Sequence, residues 1–199
     1  MDPIETLMNE HRFIERVLGA FEFYAEQLAS GQEVDLGDYK LFVRFIREFA
    51  DRCHHGKEEK ILFSAMQQYG FSSEAGPLAV MLAEHTEGRR LVGLLSEQSE
   101  RQGSWSSSDK TMIRDTLNEF SSLLLEHIDK EDNVLYPMAQ SRVPADVFEE
   151  MAVRFAKFEE TEMGSGEHER LHQLAEGLVE KYGGGGCSEP CGGCGCSEN

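Results

Sequence analysis

At 199 residues the chain has room for one domain with a sizeable core. It carries 37 Asp and Glu against 19 Lys and Arg, a formal net charge of -18, and so negative a surface repels phosphate backbones, which argues against a nucleic-acid partner. No apolar run is long enough to span a bilayer, and the acidic start Met1-Asp2-Pro3-Ile4-Glu5 passes at once into an amphipathic pattern rather than a signal peptide, so a cytoplasmic protein with reduced thiols and no membrane partner is expected.

The elements follow in chain order. Pro3 opens a first helix with Ile4, Leu7, Ile14, Leu18 and Phe21 at helical steps, ending at Gly31. Asp35 or Asp38 caps a second, with Phe42, Ile46, Phe49, Ile61 and Leu62 among its apolar positions, and it stops near Gly70 before a turn that reaches Pro77. A third helix runs from about Pro77 to Gln102 with Leu78, Met81, Val92 and Leu95 in line, followed by a polar loop with Ser108 as the cap of the next. The fourth places Ile113, Leu117, Phe120, Leu124, Val134 and Met138 on one stripe and ends at Pro137 and Pro144. A fifth helical region extends from about Ala145 to Tyr182, interrupted at Gly164-Ser165-Gly166. Period-two alternation is absent. The expectation is an all-α chain whose four long helices pack as an antiparallel bundle, core 3–140, with an extra helix over 145–182 and a Gly- and Cys-rich tail over 183–199.

Two segments repeat. His54 to Phe63 in helix two and His127 to Tyr136 in helix four align so that His54 matches His127, Glu58 matches Glu131, and Leu62 matches Leu135. Each copy puts a His and a Glu four residues apart, on one face of a helix. Helices one and three each add a Glu-His pair, Glu10-His11 and Glu84-His85, with His11 and His85 set in apolar stripes. His55 and Glu59 have the same spacing as His54 and Glu58 but continue the charged face of Arg44, Glu48 and Asp51, so they are read as surface residues or as outer partners of the inward pair. An unpaired carboxylate in a core costs several kcal/mol, so two inward carboxylates with four inward imidazoles call for cations among them. Nitrogen and carboxylate ligands together suit iron, manganese or zinc.

These residues resemble the hemerythrin-like, or HHE cation-binding, family. The pattern is His11, His54-x-x-x-Glu58, His85 and His127-x-x-x-Glu131, with Cys53-His54-His55-Gly56-Lys57-Glu58-Glu59 resembling the second-helix motif of bacterial members. The resemblance covers about residues 3–140. It implies an up-down-up-down four-helix bundle and two non-haem iron ions, oxo- or hydroxo-bridged when oxidised. Their ligands would be His11, His54, Glu58, His85, His127 and Glu131, with Glu58 and Glu131 bridging. Oxygen-carrying members have a second His in helix three, where this chain has Arg89, and an Asp one residue further along helix four, where Asp132 competes as a ligand or outer partner with Glu131, which is preferred because it matches Glu58 and lies on the apolar stripe. The four-His, two-Glu set is similar to that of members linked to nitric oxide response, iron-sulfur repair, sensing and peroxide chemistry. A small-molecule ligand (O2, NO or peroxide) is therefore expected, with the chain either a di-iron oxidoreductase or a non-enzymatic sensor or iron donor.

Beyond the resemblance, His168-Glu169-x-x-His172 has the spacing of a zinc-protease helix, yet no third ligand is identifiable. His168 shares a line with Leu171, Ala175, Leu178 and Tyr182 and is a candidate extra ligand or outer partner of the site; His172 and Glu162 are weaker candidates. Cys187, Cys191, Cys194 and Cys196 form either a soft-metal site that engages a protein partner or an incidental cluster of thiols.

Overall fold

The computed structural model describes residues 2–101 and 103–183, and no strand occurs among the described residues. Helix α1 covers Pro3–Ala29, its first turn closed by the Asp2 carboxylate accepting from Ile4 N–H at 2.7 Å. A second helical run over residues 36–68 begins as α2 (Leu36–Phe45), capped by Asp35, and ends as α3 (Phe63–Gln68). Helix α4 is Pro77–Glu100 and α5 is Ser107–Lys130. The cap of α5 is Ser106, not Ser108: Ser106 and Asp109 exchange side-chain and backbone hydrogen bonds at both ends of a capping box, and Ser108 falls inside the first turn. Helix α6 (Tyr136–Arg142) continues α5, and α7 (Ala145–Phe158) and α8 (Glu167–Tyr182) follow. The turn between the last two uses Gly164 at φ 93° and Gly166 at φ 77°, where a Cβ would be strained.

Among the described residues four stretches are wound as π-helix: Ile46–His55, Glu58–Leu62, Glu131–Leu135 and Glu159–Met163. The Phe63 N–H bonds to the Glu58 carbonyl and the Tyr136 N–H to the Glu131 carbonyl, five residues back in both cases. A wide turn adds a residue and rotates everything after it. The stripe extrapolated through Glu131 at 3.6-residue steps therefore lands on the wrong side: Val134 is 47% exposed and Met138 only partly covered, while Leu135, Tyr136 and Ala139 are buried. Pro137 does not end the helix. It sits in the first turn after the wide segment, where a missing N–H is tolerated.

The apolar residues form two clusters. One takes Phe13 to Leu28, Tyr39 to Ala50, Leu91 to Leu95, and Ile113 to Ile128. The other takes Ile4 and Leu7, Ile61 to Met66, Leu78 and Met81, and Leu135 to Ala139. Along each of the four long runs the chain passes from one cluster to the other at the level of a histidine. Helix α8 covers the first cluster with Leu171, Ala175 and Leu178, and α7 covers the second with Met151, Phe155 and Phe158. A Cβ at Gly56 would come within 2.7 Å of Phe158 Cζ, so glycine there lets α7 approach. No helix among the described residues is long and apolar enough to cross a membrane.

Candidate metal centre

Between the two apolar clusters lies a layer of buried polar side chains: Glu10, His11, His54, His55, Lys57, Glu58, His85, His127 and Glu131. The structure brings His11, His54, Glu58 and Glu131 together as one group of potential ligand atoms within 4.8 Å of one another, and His55, Glu58, His85 and His127 as a second. Glu58 belongs to both. Its wide helical turn and that of Glu131 begin at the carboxylate-bearing residue itself. The repeat seen in sequence is thus also a repeat of backbone form, of the kind found at functional sites.

Each of the four inward imidazoles is held at its outer nitrogen by a carboxylate, and an ionised carboxylate can only accept, so the ring Nδ1–H donates. Nδ1 of His54 donates to Glu10 at 2.8 Å, His85 to Glu59 at 2.7 Å, His127 to Glu84 at 3.0 Å and His11 to Asp132 at 2.8 Å. The pairing runs in a ring. The Glu before each lone His holds the motif His of another helix, and the carboxylate after each motif Glu holds a lone His. A cation backs every carboxylate: Lys57 on Glu10, Arg89 on Glu59, Lys130 on Glu84 and Arg12 on Asp132. This outer layer turns all four Nε2 atoms inward, the arrangement that orients metal-ligating histidines. Most of it escapes sequence reasoning, because Glu10 and Glu84 read only as neighbours of a histidine. The signal available was the reciprocal order of the pairs, Glu-His in α1 and α4 against the acidic residue after each motif Glu.

Inside the ring, Glu131 Oε2 lies 3.3 Å from Nε2 of both His11 and His127, and Glu58 lies 3.4 Å from His85 Nε2 and 3.7 Å from His54 Nε2. Tyr136 Oη donates to Glu58 Oε1 at 2.5 Å. Glu58 Oε2 and both Glu131 oxygens are buried without a hydrogen bond, which an ion would remedy. The electrostatics make the same demand. Burial lowers the pKa of His11, but its bonds to Asp132 and Glu131 outweigh burial and raise it to about 10. His85 rises to about 9 in the same way, against burial, through Glu58 and Glu59. Burial would lift the Glu58 pKa, yet the imidazoles of His54, His85 and His55 hold it well below the usual carboxylate range. The buried carboxylates draw positive charge onto the nitrogens facing them, a charge that a divalent cation can equally supply.

The hemerythrin HHE cation binding domain family matches residues 2–139. The chain belongs to that family. The HHE match ends before α7 and α8. Iron-sulfur cluster repair protein YtfE of Enterobacter sp. (strain 638) is 33% identical over 88 residues, covering 43% of this chain and 40% of that protein. The proteins of the same name from Salmonella paratyphi B (strain ATCC BAA-1250 / SPB7) and Salmonella newport (strain SL254) are 34% identical over the same shares. The HHE chain therefore matches about two fifths of the length of these curated relatives.

The remaining candidates fall in different places. His55 does not lie on a solvated face: it is buried, with its ring stacked on His85 at a centroid distance of 4.0 Å, because the wide helical turns before and after it rotate it inward. Glu59 and Asp132 face the outer nitrogens of His85 and His11. Arg89, in place of a histidine, bridges Glu59 and Asp51 at 2.8 Å each. His168 stops one layer outside the ring, 3.7 Å from Glu10 Oε1, and His172 stacks on Phe13 at 4.0 Å, so the two do not share a metal position. Glu162 is half-buried and pairs with Lys60 at 3.5 Å. Cys187, Cys191, Cys194 and Cys196 lie outside the described residues.

Proposed function

We propose that the polar layer holds two non-haem iron ions, one beside His11 and His54 and one beside His85 and His127, with Glu58 and Glu131 shared, and that the protein binds or reduces a small molecule such as O2, NO or peroxide. In this reading the four long helical runs alternate up and down. That alternation lets ligands from all four meet at one level, and the order of the two apolar clusters along each run supports it. The observation that carries the proposal is the set of buried, unbonded Glu58 and Glu131 oxygens facing four oriented imidazoles. When bound, a ferrous pair would supply electrons jointly to the small molecule.

The chain's own groups prepare that chemistry. Burial and the neighbouring carboxylates push the Tyr136 phenol well above its ordinary pKa, so it keeps its proton on Oη and hydrogen-bonds through it to Glu58 Oε1, leaving the other Glu58 oxygen for an ion. A narrow cavity of about 20 Å³, room for a water-sized molecule, opens beside His55, His85 and His127 between Ala50, Gly88 and Phe120. Its apolar walls suit a small neutral ligand and exclude bulk water. A second reading is iron donation or sensing, supported by the partial match to iron-sulfur cluster repair proteins, with the Cys-rich tail as the contact for a protein partner.

The test is metal content and spectrum. Anaerobic loading with Fe(II) should give about two irons per chain, and fewer than about one would overturn both readings, since the ligand set suits two. Titrating the reduced protein with O2, NO and peroxide in turn should perturb the iron spectrum for the true ligand and leave it unchanged for the others. Turnover that survives deletion of residues 183–199 favours catalysis over tail-mediated donation.

A further inference from the structure

The four arms of the outer layer are not equivalent. In three of them the backing cation is partly exposed: Arg12, Arg89 and Lys130. In the fourth, Lys57 is fully buried and is capped by the C-terminal helices, which lie beyond the HHE match. Lys57 donates to Glu159 at 2.7 Å as well as to Glu10, and Gly56 lets Phe158 and hence Glu159 come close enough for this. Beside that contact three further groups converge. Cys53, Glu159 and His168 place one ligand atom each within 4.8 Å of one another. Cys53 is a free, buried thiol, and His168 Nε2 is buried with no hydrogen-bond partner.

We propose that Cys53, Glu159 and His168 form a second, outer cation site for a borderline divalent ion such as Zn(II), Fe(II) or Co(II). The donor set combines a thiol, an imidazole and a carboxylate, the mixture such ions prefer over Mg(II) or Ca(II). Lys57 engages Oε1 of Glu159, which leaves the second oxygen of that carboxylate for the ion. Coordination deprotonates the thiol outright and the proton passes to solvent. Charge then balances: Glu10 and Glu159 contribute two negative charges and Lys57 one positive, and the ion with its thiolate adds one more positive. His168 Nε2, buried, without a hydrogen bond and 3.7 Å from Glu10 Oε1, gains a coordinating partner. One carboxylate, Glu10, separates this position from His54 in the inner ring, and Glu159 is partly open to solvent. An ion entering or leaving the inner ring thus has a foothold between solvent and centre, a role that α7 and α8 add to the four-helix core.

Cobalt reads this site separately from the inner one, which contains no sulfur. The full chain carrying Cys187→Ser, Cys191→Ser, Cys194→Ser and Cys196→Ser retains Cys53 as its one thiol. Anaerobic titration of that chain with Co(II) should develop a thiolate-to-cobalt charge-transfer band in the near ultraviolet. Adding Cys53→Ser should abolish the band. His168→Ala, at a position open enough to leave folding intact, should weaken the cobalt binding that produces it at least about tenfold, as should Glu159→Gln, while the sulfur-free cobalt bands of the inner ring persist. Cobalt uptake without any thiolate band would overturn the proposal, and so would a band unchanged by His168→Ala. Loss of the inner bands with the thiolate band intact would instead count against the di-iron reading and leave the outer site standing.

Discussion

Glu10 binds the His54 ring through one carboxylate oxygen and the Lys57 ammonium through the other, and all three side chains are buried. Burial pushes its pKa up, but His168, His54 and Lys57 together hold it far below the carboxylate range, so it is ionised. Glu10→Gln keeps the shape and removes the charge. Iron affinity, read by competition with a chelator, should fall about 10–100-fold, the usual effect of losing an outer partner of a ligand histidine; unchanged affinity would mean that the ring of carboxylates does not position the ligands. A different residue reports on pH. Hydrogen bonds from Ser106 and Arg101 hold the Asp109 carboxyl at about 2. Its folded value lies below its unfolded one, so its contribution to stability is present above pH 4 or so and is lost as pH falls toward 2. Chemical denaturation of Asp109→Asn across pH 2 to 5 should show a shallower decline than the parent chain, and parallel curves would refute the assignment.

At the scale of elements, the wide helical turns and one glycine do most of the placing. Gly56→Ala puts a methyl within 2.7 Å of Phe158 Cζ, and overpacking of that kind costs about 1–3 kcal/mol. Phe158→Leu in the same chain should recover much of the loss, seen as a non-additive double-mutant cycle in urea denaturation; strict additivity would show that the contact does not exist. The phase shift after Glu131 is checked by a pair of substitutions. Val134→Lys, on the solvent side, should change stability by less than about 0.5 kcal/mol, whereas Leu135→Ala, at 1% exposure, should lose about 2–5 kcal/mol. A regular α-helix through this segment would reverse that order.

For the molecule as a whole, α7 and α8 are part of the core rather than an appendage. Tyr182 donates to Asp38 at 2.6 Å and, with Leu171, Ala175 and Leu178, closes the larger apolar cluster, while Met151 and Phe155 close the smaller. A chain ending at Val143 therefore bares both clusters. Calorimetry should show a broadened transition at lower temperature, and an undiminished sharp melt would show that the family-matched region stands alone. Much of this architecture was legible in the sequence, since helix periodicity and Pro, Gly and Asp punctuation mark most helix limits. The inward facing of the four histidines was legible because a titratable side chain inside an apolar stripe is costly unless something compensates it. His55 was misplaced, as were Val134 and Pro137, because extrapolation at 3.6 residues per turn cannot see a turn of wider pitch.

What the sequence by itself determined was the helical class, the repeated His-x-x-x-Glu, the inward facing of His11 and His85, and the choice of His54 over its neighbour for the repeat. Each of these follows from residue spacing along a single helix. Only the tertiary structure decided which carboxylate holds which imidazole, that Lys57 is buried rather than solvated, that Arg89 secures Glu59, and that Cys53, Glu159 and His168 meet. Those pairings join residues 26 to 121 positions apart in the four histidine arms, and they exist because packed helices bring distant segments to one level, a distance relation that no local pattern encodes.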